Sequence, residues 1–210
     1  MKKHLILAGK AFSFFILWGL SLTLMVIPGI DEPTFLSGNA AFLRLWWELI
    51  PLLGILLTTV VFVLAIEKNK IKVPIFSKPI KNIIMGLLLG CVWLGAVMCF
   101  LYLIGALTFW EKINVPYLLI WFLAVLLNVI MQNYLVRGYL FSLFKEKYNA
   151  VTATTITTIL FTALHAGAFE AGVVAVLNVV TMSVFVSLLL LYTESLLAPI
   201  IAHFVWNSIG

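Results

Sequence analysis

The chain has 210 residues, 64% of them hydrophobic and 10% charged, with a mean hydropathy of +1.18. Soluble domains are nearer ~45–50% apolar and ~25% charged, so a water-soluble fold is excluded, and apolar runs that are continuous rather than alternating exclude a β-barrel. The net charge of +5 rests on lysines placed between apolar runs, with no basic face interleaved with aromatics; this excludes nucleic acid as a partner and points to membrane lipids.

A membrane span takes roughly 20 apolar residues. Met1-Lys2-Lys3 and the apolar stretch after it resemble a signal peptide, but no small-residue cleavage site precedes Pro28, and 11–30 reads as a retained first span. The next candidates are 47–66, 82–106, 117–143, 152–168, 171–192 and 195–209. The fifth and seventh are short, which requires packing inside a bundle, tilt or a break. The expected fold is all-α: a polytopic transmembrane helical bundle of about seven to eight membrane-spanning helices, forming one membrane domain over 1–210. Its longest polar linker is 67–81, where prolines break any helix. Cys91 and Cys99 lie two helical turns apart, too far to pair, and read as packing thiols.

Lys2, Lys3, Lys68, Lys70, Lys72, Lys78, Lys81, Lys145 and Lys147 fall on one side of the seven-span arrangement. Arg44 and Lys112, with Asp31, Glu32, Glu111 and Glu170, fall on the other. The lysine-rich side is expected to be cytoplasmic, with the amino terminus inside.

Polar side chains within such spans need a reason. Asn128 and Gln132 are spaced i,i+4 in the fourth span, as are Asn133 and Arg137, and both pairs read as lying along one broad helix face. Interhelical hydrogen bonding is one explanation; Arg137 reaching the headgroups is another. His165 ends the run Phe161-Thr-Ala-Leu-His165. In His203-Phe-Val-Trp-Asn207 an amide stacks on an imidazole, where it could set the ring's tautomer or hold an oxyanion. Asn178, in the sixth span, reads as interhelical glue. Together these groups exceed what packing needs and suggest a polar site for hydrolysis or transport.

The segment Gln132-Asn133-Tyr-Leu-Val-Arg137-Gly138 resembles the Glu-Glu-x-x-x-Arg-Gly motif of the CAAX prenyl protease and bacteriocin-processing (CPBP, Abi) family. Phe161-x-x-x-His165 is similar to that family's second motif. His203-x-x-x-Asn207 is similar to its last, with a matching lead-in from Thr193. The resemblance covers about 117–210, while 1–110 adds compatible spans. It implies an intramembrane endopeptidase fold in a bacterial plasma membrane, acting on a prenylated or membrane-associated peptide or a membrane protein, with relatives linked to bacteriocin self-immunity. It places Gln132 at the glutamate position, His165 at the water, and His203 with Asn207 at the oxyanion. Asn133, Arg137, Asn128, Phe161 and Asn178 would be supporting. No cofactor is implied: zinc takes three or four ligands, and His165 and His203 supply two.

The first motif departs from the family at both glutamates. A neutral amide cannot take a proton from water, and losing a general base forfeits about 10²–10⁴ in rate. Asn133 also leaves Arg137 without the carboxylate that the motif would place one turn away. Three explanations stay open. The chain is a non-catalytic relative with a binding or immunity role, an inactivated form of an active enzyme, or an enzyme in which another acid substitutes, Glu170 being the nearest to His165 in sequence. A small transporter is the remaining class, although no paired discontinuous spans support it.

Overall fold

The computed structural model describes residues 2–26, 40–107 and 115–209, and every regular element among them is helical. In chain order these are α1 (Lys2–Val26), α2 (Ala40–Val61), α3 (Pro79–Leu103), α4 (Leu118–Asn133), α5 (Tyr139–Lys147), α6 (Ala150–Ala163), α7 (Ala166–Ala171), α8 (Val173–Thr193) and α9 (Leu197–Ile209). A π-helical turn, Phe62–Ile66, extends α2, and a second, Tyr134–Gly138, joins α4 to α5. Five continuous stretches are long and apolar enough to cross a membrane: Lys3–Leu24, Ala40–Ile66, Pro79–Leu103, Leu118–Lys147 and Val173–Thr193. Each of the seven expected segments contains a helix. The two short ones became α6, with 14 residues, and α9, with 13. At ~1.5 Å per residue these reach only ~20 Å. α6 packs on α5 and α8, and α9 on α3, α4 and α8. This is an all-α polytopic membrane bundle.

Several boundaries differ from the sequence reading. α1 begins at Lys2 rather than at 11, and residues 27–30 of that segment lie outside the described residues. α2 begins at Ala40, so Arg44 is a helix residue and not a loop charge. The fifth segment does not continue through 168; its helix stops at Ala163 and the chain turns at Leu164 and His165 before α7. Cys91 and Cys99 are exposed on α3 rather than packed in a core. They share that helix with the exposed side chains of Leu88, Val92, Phe100 and Leu103, as expected where lipid is the solvent.

α9 is held by close backbone packing. Gly86 and Gly90 of α3 face Ala198 and Ala202 of α9, a small-xxx-small match on both helices. A Cβ at Gly90 would sit 3.0 Å from Ala202 Cα and 3.1 Å from Val205 Cβ; one at Gly86 would sit 2.7 Å from the Ala198 carbonyl oxygen. Dispersion at this range depends on both glycines.

The lysine-rich end is tied by one carboxylate. Glu67, expected in a solvated linker, is buried just beyond the α2 π-turn. It accepts from Lys10 Nζ at 2.6 Å and from Tyr139 Oη at 2.8 Å, joining α1, α2 and α5. His4 Nδ1 meets Tyr148 Oη at 2.5 Å, a second tie from α1 to the end of α5. Burial raises the Glu67 pKa, but the bonds from Lys10 and Tyr139 and the Lys10 charge outweigh it, leaving the carboxyl below its ordinary value of 4.5.

For protein in detergent, Gly90→Val should cost about 1–3 kcal/mol by overpacking, whereas Gly95→Val, with open space around its Cβ, should be near neutral; equal thermal stabilities would refute the close α3–α9 contact. For Glu67, a depressed folded pKa means stabilisation that is complete above 4.5 and fades as pH falls through the lowered value. Glu67→Gln should therefore lower the melting temperature most at neutral pH, with the gap to the parent protein closing in acid.

Candidate functional site

Arg137 lies in the π-turn between α4 and α5 and has no accessible surface. It does not reach the headgroups. Its Nε donates to Ser187 Oγ at 3.2 Å. Nη2 donates to the Ser183 carbonyl at 3.2 Å and to Ser183 Oγ at 2.7 Å, and Nη1 donates to Asn133 Oδ1 at 3.4 Å. The guanidinium also lies 4.7 Å from the Phe161 ring centroid, a cation–π distance. Among the described residues no carboxylate pairs with it. Ser183 Oγ continues to Thr158 Oγ1 at 3.1 Å, so one cation fastens the α4–α5 junction to α8 and, through it, to α6.

This arrangement settles an imidazole. Arg137 has only donors, so Asn133 must turn Oδ1 toward it. The amide nitrogen of Asn133 then donates to the Val129 carbonyl at 2.8 Å and meets His203 Nδ1 at 3.2 Å. His203 Nδ1 is therefore the acceptor and its proton sits on Nε2. His203 is buried on α9, and its ring packs edge-on against Phe161 at 5.8 Å.

His165 is set by a helix end. The backbone N–H of His165 bonds the Thr162 carbonyl, which leaves the Phe161 carbonyl, one of the orphan acceptors of the α6 terminus, to the side chain. His165 Nδ1 lies 2.7 Å from that oxygen. A carbonyl only accepts, so the proton is on Nδ1 and the lone pair on Nε2. The ring also packs on Phe161 at 4.3 Å.

Gln132 and His165 line one cavity of about 210 Å³, with Trp18, Met131, Leu135 and Phe161 among the other walls. Gln132 Nε2 donates to Asn128 Oδ1 at 2.7 Å, and Asn128 Nδ2 donates to Glu48 Oε2 at 2.7 Å. The other Glu48 oxygen pairs with Arg44 at 2.5 Å. Gln132 Oε1 is buried and has no partner among the described residues.

The two i,i+4 pairs of the fourth span thus face different ways. Residues 132 and 133 are ~100° apart on a helix; Asn128 and Gln132 look to α2, Asn133 and Arg137 to α8 and α9. The single broad face expected from spacing is corrected accordingly. Phe161 packs against both imidazoles and the guanidinium. Asn207, one turn beyond His203, is exposed, as are Asn178 and Glu170; among the described residues none of the three has a side-chain hydrogen bond to the groups above. Glu48 was missed by the sequence reading. Its signal was available: a lone carboxylate inside an apolar run, four residues after Arg44. Among the described residues, no three His, Cys, Asp or Glu side chains gather as metal ligands.

Ser183→Ala removes an acceptor from a buried cation, and we expect a loss of about 1–3 kcal/mol. Asn178→Ala should stay within about 0.5 kcal/mol. Thermal unfolding of the two variants in detergent separates these outcomes, and equal losses would contradict the assigned contacts.

No curated protein and no solved structure matches the chain. A family model does match residues 114–209, the stretch that holds α4 to α9 and with them Gln132, Arg137, His165 and His203. That model is described as Rce1-like, type II CAAX prenyl endopeptidase, and the chain is similar to it over residues 114–209.

Proposed function

We propose that the chain is an intramembrane endopeptidase of the CAAX type, slow in its present form, that cleaves a prenylated or otherwise membrane-associated peptide with His165 as its base. The observation that carries this is that Gln132 and His165 line one small cavity, His165 with a lone pair on Nε2 and Gln132 with a buried Oε1 that has no partner among the described residues. A water in the cavity that donates to His165 Nε2 keeps a lone pair free for a scissile carbonyl. In the attack the water oxygen bonds the carbonyl carbon, His165 Nε2 takes the proton, and the carbonyl electrons move to oxygen. Collapse breaks the C–N bond, and His165 returns the proton to the departing amine. His203 packs on the same Phe161 ring as His165 but does not line the cavity, so its Nε2–H serves as the oxyanion donor only once the Phe161 ring moves aside. Asn207 would join it only after α9 turns. With no carboxylate on the cavity wall, the rate is expected to fall short of a glutamate-bearing site by about 10²–10⁴. The gathering of Lys10, Lys145 and Lys147 with the amino-terminal end of α1 and the α2 terminus supports a cytoplasmic amino terminus.

The outward placement of Asn207 favours a second reading, a peptide-binding or bacteriocin self-immunity protein of the same fold. Purified protein in liposomes, given prenylated and unprenylated peptides, distinguishes the two. The peptidase reading expects slow cleavage that His165→Ala lowers by at least about 10²-fold. Peptide binding without cleavage, unchanged by His165→Ala, would favour the binder.

A further inference from the structure

We infer that Glu48 is a positioning residue for Gln132, which lines the cavity shared with His165: acting through Asn128, it fixes the orientation of the Gln132 amide so that Oε1, and not Nε2, is the end left without a partner among the described residues. A hydrogen-bond chain between amides has a direction, and only its ends can set it. An ionised carboxylate accepts and never donates. Glu48 is buried and stands opposite the Arg44 guanidinium at 2.5 Å as its carboxylate partner. Asn128 must therefore offer Nδ2 to Glu48, which turns Oδ1 toward Gln132. Gln132 must in turn offer Nε2 to Asn128, which leaves Oε1 unpaired. Turning either amide over would place oxygen against oxygen in a buried setting. The free end of the chain is an acceptor, so any group that comes to pair with Gln132 must be a hydrogen-bond donor.

The same polarity means that the surroundings of position 132 are built for an amide. A glutamate there, with nothing else changed, would face the Asn128 oxygen across the present 2.7 Å contact. Adding Glu48→Gln would allow the chain to reverse: the new amide at position 48 would donate to Asn128 Oδ1, and Asn128 Nδ2 would then donate to a carboxylate at 132. The chain therefore accommodates one carboxylate, at one end or the other.

The test is a double-mutant cycle of Glu48→Gln and Gln132→Glu, read first by thermal unfolding in detergent. Gln132→Glu should lower the melting temperature by about 2–8 °C when residue 48 is glutamate. It should lower it little or not at all when residue 48 is glutamine. Additive shifts would overturn the proposal. Loss of the Arg44 ion pair cancels in the cycle, because both arms of the second comparison lack it. If Glu48→Gln does not accumulate, Glu48→Asp keeps the charge and shortens the reach, and Gln132→Glu should then cost measurably less than it does in the parent protein; an unchanged cost would overturn the proposal. An Asn128→Leu background cuts the chain, and there the effect of Gln132→Glu should no longer depend on residue 48.

A second readout rests on the peptidase reading. Cleavage by the Glu48→Gln, Gln132→Glu protein should exceed that of Gln132→Glu alone by at least about tenfold, because only the former aligns its carboxylate. Coupling in the melting data with no cleavage by any variant would retire the peptidase reading and leave the positioning role in place. Additive melting shifts with cleavage intact would do the reverse.

Discussion

A guanidinium with no accessible surface must find partners for its donors inside the protein, and Arg137 does so without a carboxylate among the described residues. Its partners come from α4 and α8, and Phe161 of α6 covers it. Removing any of them would leave a charge in a medium that cannot solvate it. The helices around the site are therefore held in rotation as well as in distance. The π-turn at Tyr134–Gly138, whose residues are all buried, carries Arg137 to that position; such turns recur where a helix serves a site.

Two charged side chains stand at the heads of two hydrogen-bond chains, and their signs have opposite consequences. Arg137 forces the Asn133 oxygen toward itself, and the chain ends at His203 with a proton on Nε2. Glu48 forces the Asn128 nitrogen toward itself, and the chain ends at Gln132 with a free oxygen. The cation delivers a donor and the anion an acceptor. Amides and imidazoles are ambiguous alone and are given direction by groups that can only donate or only accept. This is why two neutral amides at the first motif are compatible with an ordered polar interior.

The carboxylate that the family motif would carry at 132 stands instead on α2, two hydrogen bonds away. An amide at 132 with that chain in place is a consistent structure. The sharing of this wall by Trp18 of α1, and of this chain by Glu48 of α2, gives the amino-terminal helices a part in the site that the family match over residues 114–209 does not reach.

The sequence alone determined the solvent, the helical class, the run of apolar segments and the order of the polar motifs, because these depend on composition and local spacing. Each of the seven apolar segments legible in the sequence holds a helix, and Gln132 and His165 stood out by their places in the motifs. Three things were not legible. Asn128 and Gln132 were read onto the same face as Asn133 and Arg137, since spacing gives relative angle along a helix but not which neighbour lies opposite. Asn178 and Asn207 were read as inward, and packing left both exposed. Glu48 lies 80 residues from Asn128, and Arg44 beside it was read as a loop charge. Which buried donor meets which buried acceptor across two helices is decided by how the helices pack, and only the tertiary structure holds that information.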